Sequence, residues 1–270
     1  MNTILAIAVI TIKEGLRRRL LYGVTVASVL LILLAVLISG LFMRDIQKVL
    51  LDICLSAISV GGLLIPFFLV IDLLAGDIED RTIYTLLARN ITRSGYIIGK
   101  FLGLALLTGI VITILFIATL LAIWCATLIY PAHNYTHLTL APIFISTLMT
   151  FLGILVLNST VFLWCCVTTS SFLATLLTLS TYVIGHTAED MVRFMELKIQ
   201  GVDISPAVQI TVKGILFIFP NLAAFDLKQK AAYGLPIPFS ETSFLCLYGL
   251  SYISIMLFLA IFFFKRRDLP

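Results

Sequence analysis

Apolar runs of membrane-spanning length recur along this chain, separated by short polar and charged breaks. Twenty-four residues from Leu20 to Met43 contain no Asp, Glu, Lys or Arg, and neither do the nineteen from Ile53 to Ile71. A helix needs about 20 apolar residues to cross roughly 30 Å of hydrocarbon, so these runs predict two spans, at about 20–43 and 50–73. From Phe101 to Ala188 there are 88 residues without such a charge, too many for one crossing or two. Polar breaks at Tyr130-Pro131-Ala132-His133-Asn134 and at Thr168-Thr169-Ser170-Ser171 divide the run into three helices, about 99–129, 142–167 and 171–188. A last run, Thr242 to Phe264, stops at Lys265-Arg266-Arg267 and predicts a sixth span at about 242–264. Backbone amides in hydrocarbon must be bonded internally, which leaves helices or a closed barrel, and the period-two alternation of a barrel is missing. The expected fold is an all-α membrane protein of six transmembrane helices, a single domain over residues 1–270.

The pieces between the spans carry their own patterns. In residues 1–19, Ile4, Leu5, Ala8, Ile12 and Leu16 fall at helical spacing, with Lys13, Glu14, Arg17 and Arg18 on the other side. That pattern predicts an amphipathic helix lying in the membrane interface against lipid. Between spans two and three, residues 76–95 hold Asp77, Glu79, Asp80, Arg81, Arg89 and Arg93 around Ile83, Leu86 and Leu87. A short helix with an apolar stripe and a charged rim is a surface that a partner protein can grip. Gly95, Gly99 and Gly103 then stand four apart at the start of span three, a spacing that lets helix backbones approach closely in lipid. The same stretch is not a phosphate-binding loop: GxxxxGK[ST] needs four residues between its glycines and a hydroxyl after the lysine, and here there are three and Phe101. Residues 189–241 form the longest connection. Within it Gly214 to Phe225 is apolar but broken by Pro220, too short to span and readable as a re-entrant helix before the last span.

Composition agrees with a membrane protein: 61% of residues are hydrophobic and 12% charged, where a soluble domain carries about 25% charged. The net charge of +4 reads as a topology signal, with no nucleic-acid motif beside it. Placing both termini in the cytoplasm puts Lys13, Arg17, Arg18, Arg19, Arg81, Arg89, Arg93, Lys100, Lys265, Arg266 and Arg267 there, 11 of the 18 Lys and Arg residues. The five cysteines scatter through the spans without a CxxC and read as packing residues. Polar residues inside spans are expensive and mark functional faces. Ser171, Thr175, Thr178 and Tyr182 share one side of span five, and Asp52, Ser56 and Ser59 hold a similar register on span two; both sets are candidates for a translocation path or for interhelical bonding. His133 and His137 are four apart but have no Cys or carboxylate beside them, so no metal site is expected. No catalytic constellation emerges: His186 has no Gly-x-Ser partner, and Asp72, Asp77 and Asp80 do not form a transferase motif.

Two stretches carry a resemblance. One is Ile12-Lys13-Glu14-Gly15-Leu16-Arg17-Arg18-Arg19. The other is Asp80-Arg81-Thr82-Ile83-Tyr84-Thr85-Leu86-Leu87-Ala88-Arg89-Asn90-Ile91-Thr92-Arg93, with Gly99-Lys100-Phe101-Leu102-Gly103 after it. With the six-span layout, they resemble an ABC-2 type transporter permease, departing from the usual family pattern at Arg81, where Gly is common, and Asn90, where Pro is common. The resemblance implies an exporter subunit in a bacterial cytoplasmic membrane that pairs with a second permease copy. It has no cofactor of its own, because separate ABC ATPase subunits hold ATP and Mg. Glu79, Asp80, Arg81, Thr82, Leu86, Leu87, Arg89 and Arg93 would then form the coupling helix that docks on the ATPase. Membrane lipids are expected around the chain, and accessory extracytoplasmic proteins stay open as further partners. A non-transporting assembly or anchor subunit and an intramembrane enzyme are the competing classes.

Overall fold

The computed structural model describes residues 3–42, 46–79, 92–130, 140–168, 170–196, 214 and 218–266. Among these the regular structure is all helical, with no strand. Helix α1 is Thr3–Arg17, α2 Arg19–Ser39, α3 Ile46–Ile65, α4 Ile71–Glu79, α5 Arg93–Ile129, α6 Leu140–Val167, α7 Ser171–Glu196, α8 Lys228–Ala232 and α9 Phe239–Arg266. Among the described residues five stretches are long and apolar enough to cross a membrane: Leu21–Ser39, Ile46–Leu74, Arg93–Ile129, Leu140–Val167 and Phe239–Arg266. The expected fifth span, α7, has the length at 26 residues, but its hydroxyls, His186 and the closing Glu189, Asp190, Arg193 and Glu196 dilute its apolar content.

Helix α5 is the axis of the bundle and packs against α1, α2, α3, α6 and α9. Its 37 residues extend to about 55 Å at 1.5 Å per residue, well beyond a hydrocarbon layer of roughly 30 Å. The first two helices of the chain divide that length between them. Alongside the first four turns of α5 runs α1, in the same direction: Ile4 lies nearest Gly95 and Gly99, Ala8 and Thr11 nearest Gly103, and Gly15 nearest Leu107. Arg18, extended at ψ 123°, breaks the chain, and α2 continues beside the rest of α5 until the Tyr130 hydroxyl donates to Val36 O at 3.4 Å.

This arrangement gives α1 a protein-facing side beside its exposed apolar one. Its buried residues are Ile7, Ala8, Thr11 and Gly15, laid against the first turns of α5, whereas Leu5, Val9, Ile10 and Leu16 are exposed. Lys13 and Arg17 are exposed too, and Arg18 lies 3.2 Å from Asp72 and 3.9 Å from Glu14. Span two departs from a plain α-helix. Pro66 has no N–H to donate, which interrupts the ladder, and the helix widens into a π segment over Pro66–Val70 in which the Ile71 N–H reaches back five residues to Pro66 O. Of the expected re-entrant helix, Gly214 and Ile218 are helical, residues 215–217 lie outside the described residues, and from Pro220 the chain is irregular, with one 3-10 turn at Ala223–Phe225 and the five-residue α8 behind it.

Candidate functional site

The irregular segment enters the bundle to about half its depth. Phe225, 2% exposed, rests on Gly153, the fourteenth of the 28 residues of α6, and stacks on Tyr248 of α9 with ring centroids 6.0 Å apart. Non-helical backbone at such depth is tolerated only where protein or a polar cavity satisfies it. Here Leu222 N donates to Gly185 O at 3.0 Å, Asn221 N donates to the Tyr248 hydroxyl at 3.0 Å, and the Asn221 side-chain amide donates to Glu189 at 2.9 Å. Gly185 makes this possible, because a Cβ there would run into Pro220 O and Leu222.

Beneath the segment lies a cavity of about 120 Å³ between α3, α6 and α7. Its polar lining comes from Ser59, Thr150, Tyr182, His186, Asp226 and Lys228. Asp226 and Lys228 pair at 3.0 Å. The His186 ring lies 4.8 Å from that of Tyr182, and its buried Nδ1 has no hydrogen-bond partner among the described residues. The space falls short of the ~300–1,000 Å³ of small-molecule sites. As formed by one chain, it is a partly open, largely apolar vestibule with a few polar groups on its wall.

A second polar cluster sits at the opposite end of the bundle, where α4 and α5 flank residues 80–91. The Asp77 carboxylate accepts hydrogen bonds from the Lys100 ammonium and, at 2.6 Å, from the Tyr96 hydroxyl. The Lys100 side chain is 3% exposed and that of Asp77 17%. Tyr96 stacks on Phe264 of α9 at 6.2 Å, and Arg93 donates to the last carbonyls of that helix, Phe264 O at 3.2 Å and Lys265 O at 3.0 Å. Thr92 caps α5 by accepting from Gly95 N at 3.2 Å.

A family model described as ABC-2 family transporter protein matches residues 5–269, essentially the whole length over which these helices are laid out. This chain belongs to the ABC-2 transporter family. It is a multi-pass membrane protein and a permease of the ABC-2 type, and membership implies partnership with ABC ATPase subunits. Comparison with curated proteins finds no match.

Of the path residues expected in this ABC-2 permease, Ser59 and Tyr182 meet at the cavity, whereas Asp52, Ser56, Ser171, Thr175 and Thr178 do not line it. Several of these hydroxyls serve their own helix: Thr175 donates to Ser171 O and Thr178 to Ala174 O, both at 2.8 Å, and Ser59 to Leu55 O at 3.1 Å. Asp52 is exposed. Of the coupling residues, Arg93 belongs to the cluster just described and Glu79 ends α4; Asp80, Arg81, Thr82, Leu86, Leu87 and Arg89 lie outside the described residues, as do His133 and His137. Among the described residues no group of three or more His, Cys, Asp or Glu is placed to hold a metal ion.

The permease also has cavity residues that sequence patterns did not single out, Thr150, Asp226 and Lys228, with His186 as a cavity residue; outside the cavity, Asn158 is a further buried polar group. Asn158 is the sole Asn in the five apolar stretches, fully buried, with its amide 3.4 Å from the Thr108 hydroxyl and its Oδ1 without a partner among the described residues. A lone carboxamide in a charge-free run was the available signal.

Proposed function

We propose that this chain is the six-span permease subunit of an ABC-2 exporter in a bacterial cytoplasmic membrane, with both termini cytoplasmic and ATP hydrolysed by separate subunits that carry ATP and Mg. The observation that carries the reading is the family match over residues 5–269. What supports α7 as the sixth crossing is its course. It leaves the Val167 end of α6 and brings Gly185 and Glu189 against Pro220 to Leu222, toward the other end of the bundle. In this reading residues 76–95 are the coupling segment, with Leu86 and Leu87 entering a groove on the ATPase and Glu79, Asp80, Arg81, Thr82, Arg89 and Arg93 around them. The exposed side of α1, with Leu5, Ile10, Lys13 and Arg17, faces lipid and its headgroups. The vestibule of about 120 Å³ becomes part of a path when a second permease copy, identical or related, closes the other side.

The small size of that vestibule also supports a second reading, a membrane assembly subunit without a path of its own. Replacing Leu86 and Leu87 with Asp and measuring co-purification with the cognate ATPase tests the first reading: assembly is expected to be lost, and undiminished assembly refutes the docking role. Stimulation of ATP hydrolysis by a transported solute separates permease from assembly subunit.

A further inference from the structure

We propose that Asp77, Tyr96 and Lys100 form a coupling clamp, a set of positioning residues that joins α4, α5 and α9 into one body at the base of the segment 80–91. The inference rests on the coupling role read above for that segment.

Tyr96 and Lys100 are one turn apart on the same face of α5, and both hold the carboxylate of Asp77, three residues before the segment begins. The other end of the segment is fixed as closely, because Arg93 and Tyr96 grip the end of α9 through Phe264 and Lys265. A buried ion pair contributes little net stability relative to apolar side chains of the same volume, but separating its partners strands a charge away from water. Its physical effect is therefore on register: α4 cannot slide or turn against α5 without uncovering Lys100. A push delivered at residues 80–91 moves the three helices together, and interfaces of this kind respond as rigid bodies.

Helix α4 then carries the displacement inward. It joins α3 through the π segment at Pro66, whose Phe67 lies edge-on to Tyr182 at 6.3 Å, and α3 lines the cavity at Ser59, Val60 and Leu63. The clamp thus lies on the continuous helical route from the ATPase side to the vestibule.

The test uses the whole permease with its cognate ATPase in phosphatidylethanolamine–phosphatidylglycerol vesicles. Hydrogen–deuterium exchange over residues 56–66 and 218–228 is compared without nucleotide and trapped with ATP and vanadate. The double variant Asp77→Leu with Lys100→Met removes both charges and strands neither. It is expected to co-purify with the ATPase as the native chain does and to lose the nucleotide-dependent difference in exchange. The swapped pair, Asp77→Lys with Lys100→Asp, is expected to recover it. A native-sized difference in the apolar variant overturns the clamp while leaving the ATPase partnership intact. A native chain that fails to co-purify with the ATPase overturns both. If the apolar pair abolishes folding, Tyr96→Phe removes one hydrogen bond at unchanged volume, and a full native difference in that variant overturns the proposal.

Discussion

Replacing Gly99 and Gly103 by Ala is the most direct test of how α1 is held. A Cβ at Gly103 would lie 2.8 Å from Ala8 O and 2.7 Å from Thr11 Cβ, and one at Gly99 would lie 2.9 Å from both Ile4 O and Ile7 Cβ. Carbon contacts are comfortable at about 3.5–4.0 Å, so α1 must retreat by roughly 0.7–1 Å, and its backbone carbonyls cannot turn away as a flexible side chain could. Overpacking of this kind costs about 1–3 kcal/mol, offset by the ~0.5–1 kcal/mol that Ala gains over Gly inside a helix. Each single variant is therefore expected to lose up to about 2 kcal/mol. Because one outward shift of α1 relieves both clashes, the double variant should lose less than the sum of the singles. Gly23→Ala is the control: nothing lies within 4 Å of its added Cβ, so only the helical gain remains. Thermal unfolding of the purified protein in detergent reads the difference, at roughly 2–4 °C per kcal/mol for a chain of this size. A double variant as stable as Gly23→Ala would refute the packing and leave α1 in lipid contact on all sides.

Three further outcomes are expected. Phe225→Ala should lower stability by about 3–5 kcal/mol in the same unfolding assay, as large-to-small changes do in a core, since Phe225 is 2% exposed and stacked on Tyr248. Asn158→Leu should leave stability unchanged or raise it by about 1 kcal/mol, because it removes a buried oxygen without a described partner and only a long 3.4 Å bond to Thr108; a loss above about 2 kcal/mol would mean that the carboxamide is better satisfied than this geometry allows. In a cysteine-free background, Gly234→Cys should react with an impermeant maleimide on intact cells and Lys13→Cys only after permeabilisation. Protection of Gly234→Cys would mean that α7 does not cross and the spans number five.

The apolar runs made the helices legible because a bilayer reads only length and charge. The Leu20 to Met43 and Thr242 to Phe264 runs are found within three or four residues as α2 and α9. What the runs conceal is interruption from within. Pro66 sits in the middle of a charge-free stretch and leaves hydropathy untouched, yet it removes a hydrogen bond and produces the π segment. Amphipathic spacing in α1 likewise leaves one contact unmarked. It picks out Leu5 and Leu16, which stay exposed, but close helix packing in lipid favours residues that bring backbones together, and Ala8, Thr11 and Gly15 form that face. The matching signal was present on the partner, in Gly95, Gly99 and Gly103, and identifying α1 as their neighbour required the tertiary fold.

The candidate site was less legible for a related reason: its polar groups come from segments that sequence assigns to different compartments. Tyr182 and Ser59 stand out as polar residues in apolar spans, but Asp226 and Lys228 belong to what reads as an outer loop and meet them only because Pro220 to Leu227 dips to the level of Gly153. The reverse holds for the hydroxyl face of α7. Its regular spacing suggests a wet seam, yet Thr175 and Thr178 bond to carbonyls one turn back, an outcome that spacing alone cannot separate from a path because both need a hydroxyl every three or four residues. Charges are different, since a lysine has no carbonyl-bonded arrangement that neutralises it in hydrocarbon. Lys100, 2% exposed as a residue and two turns into an apolar helix, requires an acidic partner on a neighbouring element; α4 offers Asp72, Asp77 and Glu79, and the fold selects Asp77.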